Sequence, residues 1–284
     1  MIRVVFIGGL TNGKIVYEYL EKNEYTDLVL AITYPDDSDK SNHVIFESKN
    51  KLIKDNSANK YINEIKKVSP DYIIVAGWSE LLSDEVLNAA KSGVIGFHPS
   101  KLPQDRGRSV LAWQIAEGYT ETALTMFFYN DLPDCGDIIA QEKIIIAFED
   151  TIKDILKKVD AATYNMMVAY YPLLRKGKIP RKEQSLNEGN FRRLRREKDS
   201  CIDWNTNSED VYNLVRAITR PYPGANAVIN STYYKIWKVS IIDFPFGDSV
   251  QCGTLVCTLF DESFIVKTRN GFVHITEFEK MGSY

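Results

Sequence analysis

Residues 96–107 read GFHPSKLPQDRG, placing an imidazole, a hydroxyl, an ammonium, a carboxylate and a guanidinium within one short stretch. His98 is one of three histidines in the chain. An imidazole changes charge near neutral pH, so it can take up and release protons during a reaction. Pro99 and Pro103 stiffen the chain after it. Arg106 and Arg108 add fixed positive charge, and a guanidinium binds phosphate oxygens bidentately. A second segment, PDCGD at 133–137, begins 35 positions after His98. It offers two carboxylates, Asp134 and Asp137, as partners for the imidazole. Both residue types also cap turns, so these residues alone leave the choice open.

The surrounding pattern decides where these groups sit. Residues 2–7, 28–34, 72–76 and 93–98 are short apolar runs that read as strands. Helical stretches at 14–22, 59–68 and 87–90 lie between them. Strands alternating with helices predict a mostly parallel sheet covered on both faces. His98 then stands at the carboxyl end of a strand, where open α/β sheets place their ligands. Gly8, Gly9 and Gly13 do not form the GxGxxG dinucleotide fingerprint and predict only a tight turn after the first strand.

Residues 124–129 and 138–146 predict two further strands around a turn at 130–136. Thr151 and Asp154 form an N-cap pair that opens a long helix. Ile152, Ile155, Leu156, Val159, Met166 and Leu173 give that helix an apolar face, and Pro172 is expected to kink or end it. Residues 175–200 are polar and basic, including Arg192, Arg193, Arg195 and Arg196, and read as a linker. A helix at 208–218 follows, then strand-like runs at 233–242, 251–259, 264–268 and 271–278. Turn signals fall at 246–248 and 270–271. The expected class is α/β, a Rossmann-like domain followed by a small β-rich domain, read as a small barrel.

Composition narrows the alternatives. The chain has 284 residues, 44% hydrophobic and 26% charged, with a net charge of −3. These values suit a globular protein with a substantial core and do not advertise an anionic partner, although they leave room for a local basic patch. Cys135, Cys201, Cys252 and Cys257 form no CxxC pair and read as free thiols, so no metal site is expected. The N-terminus lacks a signal-peptide pattern, and no apolar run approaches a membrane span. A cytoplasmic enzyme is the expectation.

The run HPSKLPQDRG resembles the HxSLLPxxRG signature of the folate-dependent formyltransferases. His98, Ser100, Leu102-Pro103 and Arg106-Gly107 match it in place. Asp134-Cys135-Gly136 matches the family's Asp-small-Gly, which selects Asp134 over Asp137. PDYIIVAGWSELL at 70–82 resembles the strand and loop that cradle the pterin through main-chain groups. CIDW at 201–204 and VRAITRPYPGA at 215–225 resemble the family's junction with its C-terminal barrel. The likeness covers nearly the whole chain, nearest to the nucleotide-sugar N-formyltransferases. It implies a catalytic domain at 1–180, a linker at 181–200 and an OB-like β-rich domain at 201–284.

The resemblance also implies a chemistry. The donor is N10-formyltetrahydrofolate, held by Gly77, Trp78, Ser79, Leu82 and Asp134, with no metal. The acceptor is the amine of a UDP- or dTDP-linked amino sugar, held by Ser100, Lys101, Arg106, Gly107, Arg108 and Ser109. The start of a helix at 109–116 is expected to receive the diphosphate. His98 stabilises the developing negative oxygen and Asp134 orients the imidazole or accepts the amine proton. Two departures stand out: Gly96 occupies the place of the family's asparagine, and Lys101 replaces a leucine. A homodimer is implied, with neither membrane nor nucleic acid as partner. The alternatives are a methionyl-tRNA formyltransferase, favoured by the arginine-rich linker, and a catalytically inactive folate- or nucleotide-binding relative.

Overall fold

A computed structural model describes residues 1–48, 51–245 and 249–283; the turn expected at 246–248 lies outside the described residues. In chain order the first half contains β1 (Ile2–Gly8), α1 (Leu10–Lys22), β2 (Thr26–Thr33) and β3 (Leu52–Lys54). There follow α2 (Ile62–Lys67), β4 (Tyr72–Ala76), α3 (Asp84–Leu87), β5 (Val94–His98) and the short β6 (Arg106–Gly107). The middle holds α4 (Val110–Ala116), β7 (Glu121–Phe128), β8 (Ile138–Ile145), α5 (Ile152–Arg175) and β9 (Phe191–Arg192). The remainder holds α6 (Ser208–Ile218), β10 (Ala225–Ile229), β11 (Thr232–Ile242), β12 (Leu255–Thr258), β13 (Phe264–Lys267) and β14 (Phe272–Ser283).

Seven strands form one sheet in the order β3-β2-β1-β4-β5-β7-β8. The strands β1 to β5 pair in parallel, and β7 joins β5 antiparallel with Gly96 opposite Phe127 and His98 opposite Thr125. Every residue of β4 is buried, as expected of a central strand covered on both faces. Val5, Ile7, Leu30, Ile32, Ile73 and Val75 form a core cluster, closed by Ile65 and Val86 from α2 and α3.

The helices follow local sequence rules. Ser83 caps α3 by accepting from the Val86 N–H. Asp154 accepts from both the N–H and the hydroxyl of Thr151, fixing the start of α5. Pro172 does not end α5, which runs on to Arg175.

The chain divides into two compact units. One comprises Met1–Gly107, Thr122–Ile144 and Lys157–Arg192; the other comprises Arg108–Glu121, Ile145–Leu156 and Arg193–Tyr284. The second unit contains a five-stranded antiparallel sheet ordered β10-β11-β14-β13-β12. Among the described residues this ladder has β10 and β12 as its ends. Arg216 of α6 reaches the Ala147 and Asp150 carbonyls, which holds the 145–156 segment within this unit. Among the described residues, no helix is long and apolar enough to cross a membrane.

Candidate active site

His98 is the last residue of β5 and is 6% exposed. One ring nitrogen, Nε2, lies 2.8 Å from the Asp105 carbonyl oxygen. A carbonyl can only accept, so Nε2 carries a proton and donates it there. The other nitrogen, Nδ1, faces Asp134 Oδ1 at 3.6 Å. Nδ1 is therefore the nitrogen free to take up or release a proton, with a carboxylate beside it. The second Asp134 oxygen, Oδ2, accepts from the Gly107 N–H at 2.8 Å, which fixes the carboxylate's orientation. The imidazole and the carboxylate that the two motifs supply thus meet, although 36 positions separate them.

Asp137 is not part of this pair; it makes a 3.4 Å ion pair with Arg181. Asp134 stands at a left-handed φ of +57° within the connection between β7 and β8. Gly136 follows because a Cβ there would come within 1.9 Å of the Phe128 carbonyl. That close approach is the physical content of the Asp-small-Gly pattern. Cys135 is buried, and that burial pushes its thiol above the ordinary range.

The loop between His98 and Gly107 is over-determined. The Ser100 hydroxyl donates to the Gln104 carbonyl, and the Thr125 hydroxyl donates to the Ser100 carbonyl. Gln141 donates to the Leu102 carbonyl. The Asp105 carboxylate accepts from Arg192 Nε at 2.6 Å and from the Asn190 amide at 2.9 Å. Asp105 itself is 1% exposed with a left-handed φ of +51°. These contacts aim the Asp105 carbonyl, and that carbonyl sets which nitrogen of His98 is protonated.

Several expectations change here. Ser100 is fully buried and ties the loop to itself, so its hydroxyl is not presented to a ligand. Arg106 is 1% exposed, and its guanidinium donates to the Glu188 and Ser185 carbonyls and to the Gln184 side chain. In this structure it organises residues 184–188. Residues 182–192, expected as linker, are ordered parts of the same unit. Lys182 bridges Ile138, β9 pairs with β6, and Gln184 donates to the Asp134 and Gly136 carbonyls. Lys101 and Arg108 are exposed. Ser109, in the second unit, accepts from the Arg195 N–H instead of capping α4. That helix is seven residues long, one shorter than expected.

The residues expected to hold the donor form a loop at the carboxyl end of β4, the parallel neighbour of β5. Gly77 has a φ of +63°, and Trp78 stacks on Tyr34 with ring centroids 4.3 Å apart. The Tyr34 hydroxyl accepts from the Ser79 N–H. Glu80 accepts from the Ser57 hydroxyl, the Ala58 N–H and the Trp78 indole, and Asn59 clamps Leu81 and Ser83. Leu82 packs against the core cluster. These bonds tie the 77–83 loop to residues 34 and 57–59.

The fold and both motifs can be compared with known proteins. A family model described as formyl transferase matches residues 2–170, and one described as formyl transferase, C-terminal domain, matches residues 195–283. The chain belongs to the formyl transferase family. Members of this family are enzymes that transfer formyl groups. The methionyl-tRNA formyltransferase of Fusobacterium nucleatum is 29% identical over 218 residues, 77% of this chain and 70% of that protein.

Among solved structures, HypX from Aquifex aeolicus in complex with tetrahydrofolic acid matches 99% of this chain with a TM-score of 0.72 and 18% identity. The chain spans 44% of the length of that protein. The N-formyltransferase from Helicobacter canadensis, in complex with folinic acid and dTDP-3-aminofucose, matches 98% of this chain and 100% of its own length. Its TM-score is 0.69 at 19% identity. These structural likenesses establish a shared fold.

Sequence reasoning gave no place at the site to Asp105, Asn190 or Arg192. Asp105 lies inside the quoted loop, but its partners Asn190 and Arg192 lie 85 and 87 positions away, and no periodicity announces them.

Proposed function

We propose that this family member transfers the formyl group of N10-formyltetrahydrofolate to the amine of a nucleotide-linked amino sugar. The observation that carries the formyl-transfer reading is the His98–Asp134 pair at the carboxyl end of β5. The donor supplies an activated formyl carbon. In the reaction a bond forms from the acceptor nitrogen to that carbon, and the formyl oxygen takes up the displaced electron pair. That pair returns as the bond to the donor nitrogen breaks. His98 Nδ1, beside the Asp134 carboxylate, accepts the proton that the acceptor amine must lose and delivers it to the leaving nitrogen. Asp134 stabilises the imidazolium that forms in between. Positioned acid–base help of this kind contributes roughly 10²–10⁴-fold. The Gly77, Trp78, Ser79 and Leu82 loop holds the donor ring, and exposed Lys101 is the cation offered to the acceptor's phosphates.

The sugar reading is supported over the tRNA reading by the state of the arginine-rich segment. Arg192 is paired with Asp105, and Arg193 makes two bonds to Asp199. Arg195 lies over the Trp113 ring. A track for a nucleic-acid backbone needs cations free to displace condensed counterions, and these side chains already have partners. The 29% identity to a methionyl-tRNA formyltransferase keeps initiator tRNA as the second reading. The test is a screen of UDP- and dTDP-amino sugars with N10-formyltetrahydrofolate. A product heavier than the acceptor by one CO supports the proposal. Formylation of methionyl-tRNA with no sugar product overturns it.

A further inference from the structure

Tyr129 lies immediately beyond β7 and fills the space above Gly96. A Cβ built on Gly96 would meet three atoms of this one side chain, Cε1 at 2.1 Å, Cζ at 2.7 Å and the hydroxyl oxygen at 2.8 Å. Gly96 and His98 point to the same face of β5, because strand side chains alternate. Phe127 and Thr125, their partners on β7, point to that face as well, and Tyr129 continues the series. The ring is stacked on Phe127 at 5.0 Å. Glycine at 96 is thus matched to a tyrosine at 129.

The hydroxyl is a proton donor in a site whose other nearby donors are engaged. His98 Nε2–H is bonded to Asp105 and the Gly107 N–H to Asp134. The Ser100 and Thr125 hydroxyls are bonded to carbonyls. Among the described residues the Tyr129 hydroxyl makes no hydrogen bond. Burial pushes the Tyr129 phenol well above its ordinary range, and the Asp134 carboxylate pushes it further the same way. It therefore stays protonated and able to donate. Gly96, over which the hydroxyl lies, is two residues before His98 on β5.

Formyl transfer generates negative charge on one oxygen, and a donor aimed at that charge from a water-poor site is effective. We propose that the Tyr129 hydroxyl is the hydrogen-bond donor that stabilises the developing negative formyl oxygen, with Gly96 kept side-chain-free to admit its ring. This rests on the formyl-transfer reading above.

Tyr129→Phe keeps the ring and removes the donor. In the full chain, with N10-formyltetrahydrofolate and dTDP-3-aminofucose or whichever amino sugar the wild type formylates, kcat is expected to fall about 10²-fold. KM for the donor should stay within about threefold, the signature of an interaction made in the transition state. Gly96→Asn combined with Tyr129→Ala places an amide in the vacated space, and should turn over faster than Tyr129→Ala alone. As a readout independent of the acceptor, the isotope-labelled ring-carbon resonance of Tyr129 should shift when folinic acid is added. Wild-type kcat in Tyr129→Phe overturns the proposal and leaves the ring as filler. His98→Ala is measured alongside: full activity in both variants means that the site reading itself has failed, whereas loss in His98→Ala alone condemns only the tyrosine.

Discussion

At the scale of residues, the site depends on which nitrogen of His98 holds a proton. The Asp105 carbonyl fixes a proton on Nε2, so all exchange with a substrate must pass through Nδ1 beside Asp134. His98→Ala and Asp134→Ala should each lower kcat by about 10²-fold or more while the melting temperature stays near wild type. Because the two act as one unit, the double variant should be little worse than the worse single variant. Retention of more than a tenth of wild-type kcat in either single variant would remove the pair from the mechanism. Gly96→Asn in the otherwise unchanged chain is a different experiment. Its Cβ would overlap the Tyr129 ring at 2.1 Å, so the ring must leave its place. We expect about 1–3 kcal/mol of destabilisation from overpacking, together with a lower kcat. A rise in kcat at unchanged stability would instead mark glycine at 96 as a defect.

Elements position those residues, and here the sequence was legible in part. The strands and their order of alternation with helices follow from short apolar runs, and α5 from its capping pair and apolar face. His98 and Asp134 were legible because each lies in a compact local motif. What was not legible was the segment 182–192. Its polar, arginine-rich composition reads as solvated linker, yet Gln184, Asn190 and Arg192 each bond to the site segments from 50 to 87 positions away. The partners of Arg106 were hidden for the same reason. A guanidinium in a motif looks like a ligand for phosphate until the three residues that accept from it are known. Two outcomes test this rearranged picture. Arg192→Ala removes an ion pair from the buried Asp105 carboxylate. Breaking a buried pair this way costs about 3–5 kcal/mol. It should also lower kcat more than it raises KM, since the loop that aims His98 loosens. Arg106→Ala should lower the melting temperature and weaken donor and acceptor binding together. Selective loss of nucleotide-sugar affinity, with folinic acid binding intact, would restore Arg106 as a phosphate ligand.

The whole molecule bears on the acceptor. A tRNA is a polyanion, and a protein that grips it releases counterions from many phosphates, so affinity falls steeply with salt. This chain carries a net charge of −3, and Arg192, Arg193 and Arg195 of its basic segment are already committed to Asp105, Asp199 and Trp113. A nucleotide-linked sugar asks for much less, a little positive charge near one diphosphate, and exposed Lys101 is of that kind. Binding should therefore be measured for both ligand classes at low and at moderate salt. We expect UDP- or dTDP-linked amino sugars to raise the melting temperature, as any ligand that binds only the folded state must. Lys101→Ala should reduce that rise without changing the response to folinic acid, because the lysine belongs to the loop after His98 and not to the 77–82 loop. Initiator tRNA should bind weakly at moderate salt. The opposite pattern would transfer the assignment to tRNA: micromolar tRNA affinity with a steep salt slope, and no thermal shift with any amino-sugar nucleotide. It would also require Arg193 and Arg195 to leave their present partners, and Arg193→Ala would then cost tRNA affinity while reducing the salt slope by about one.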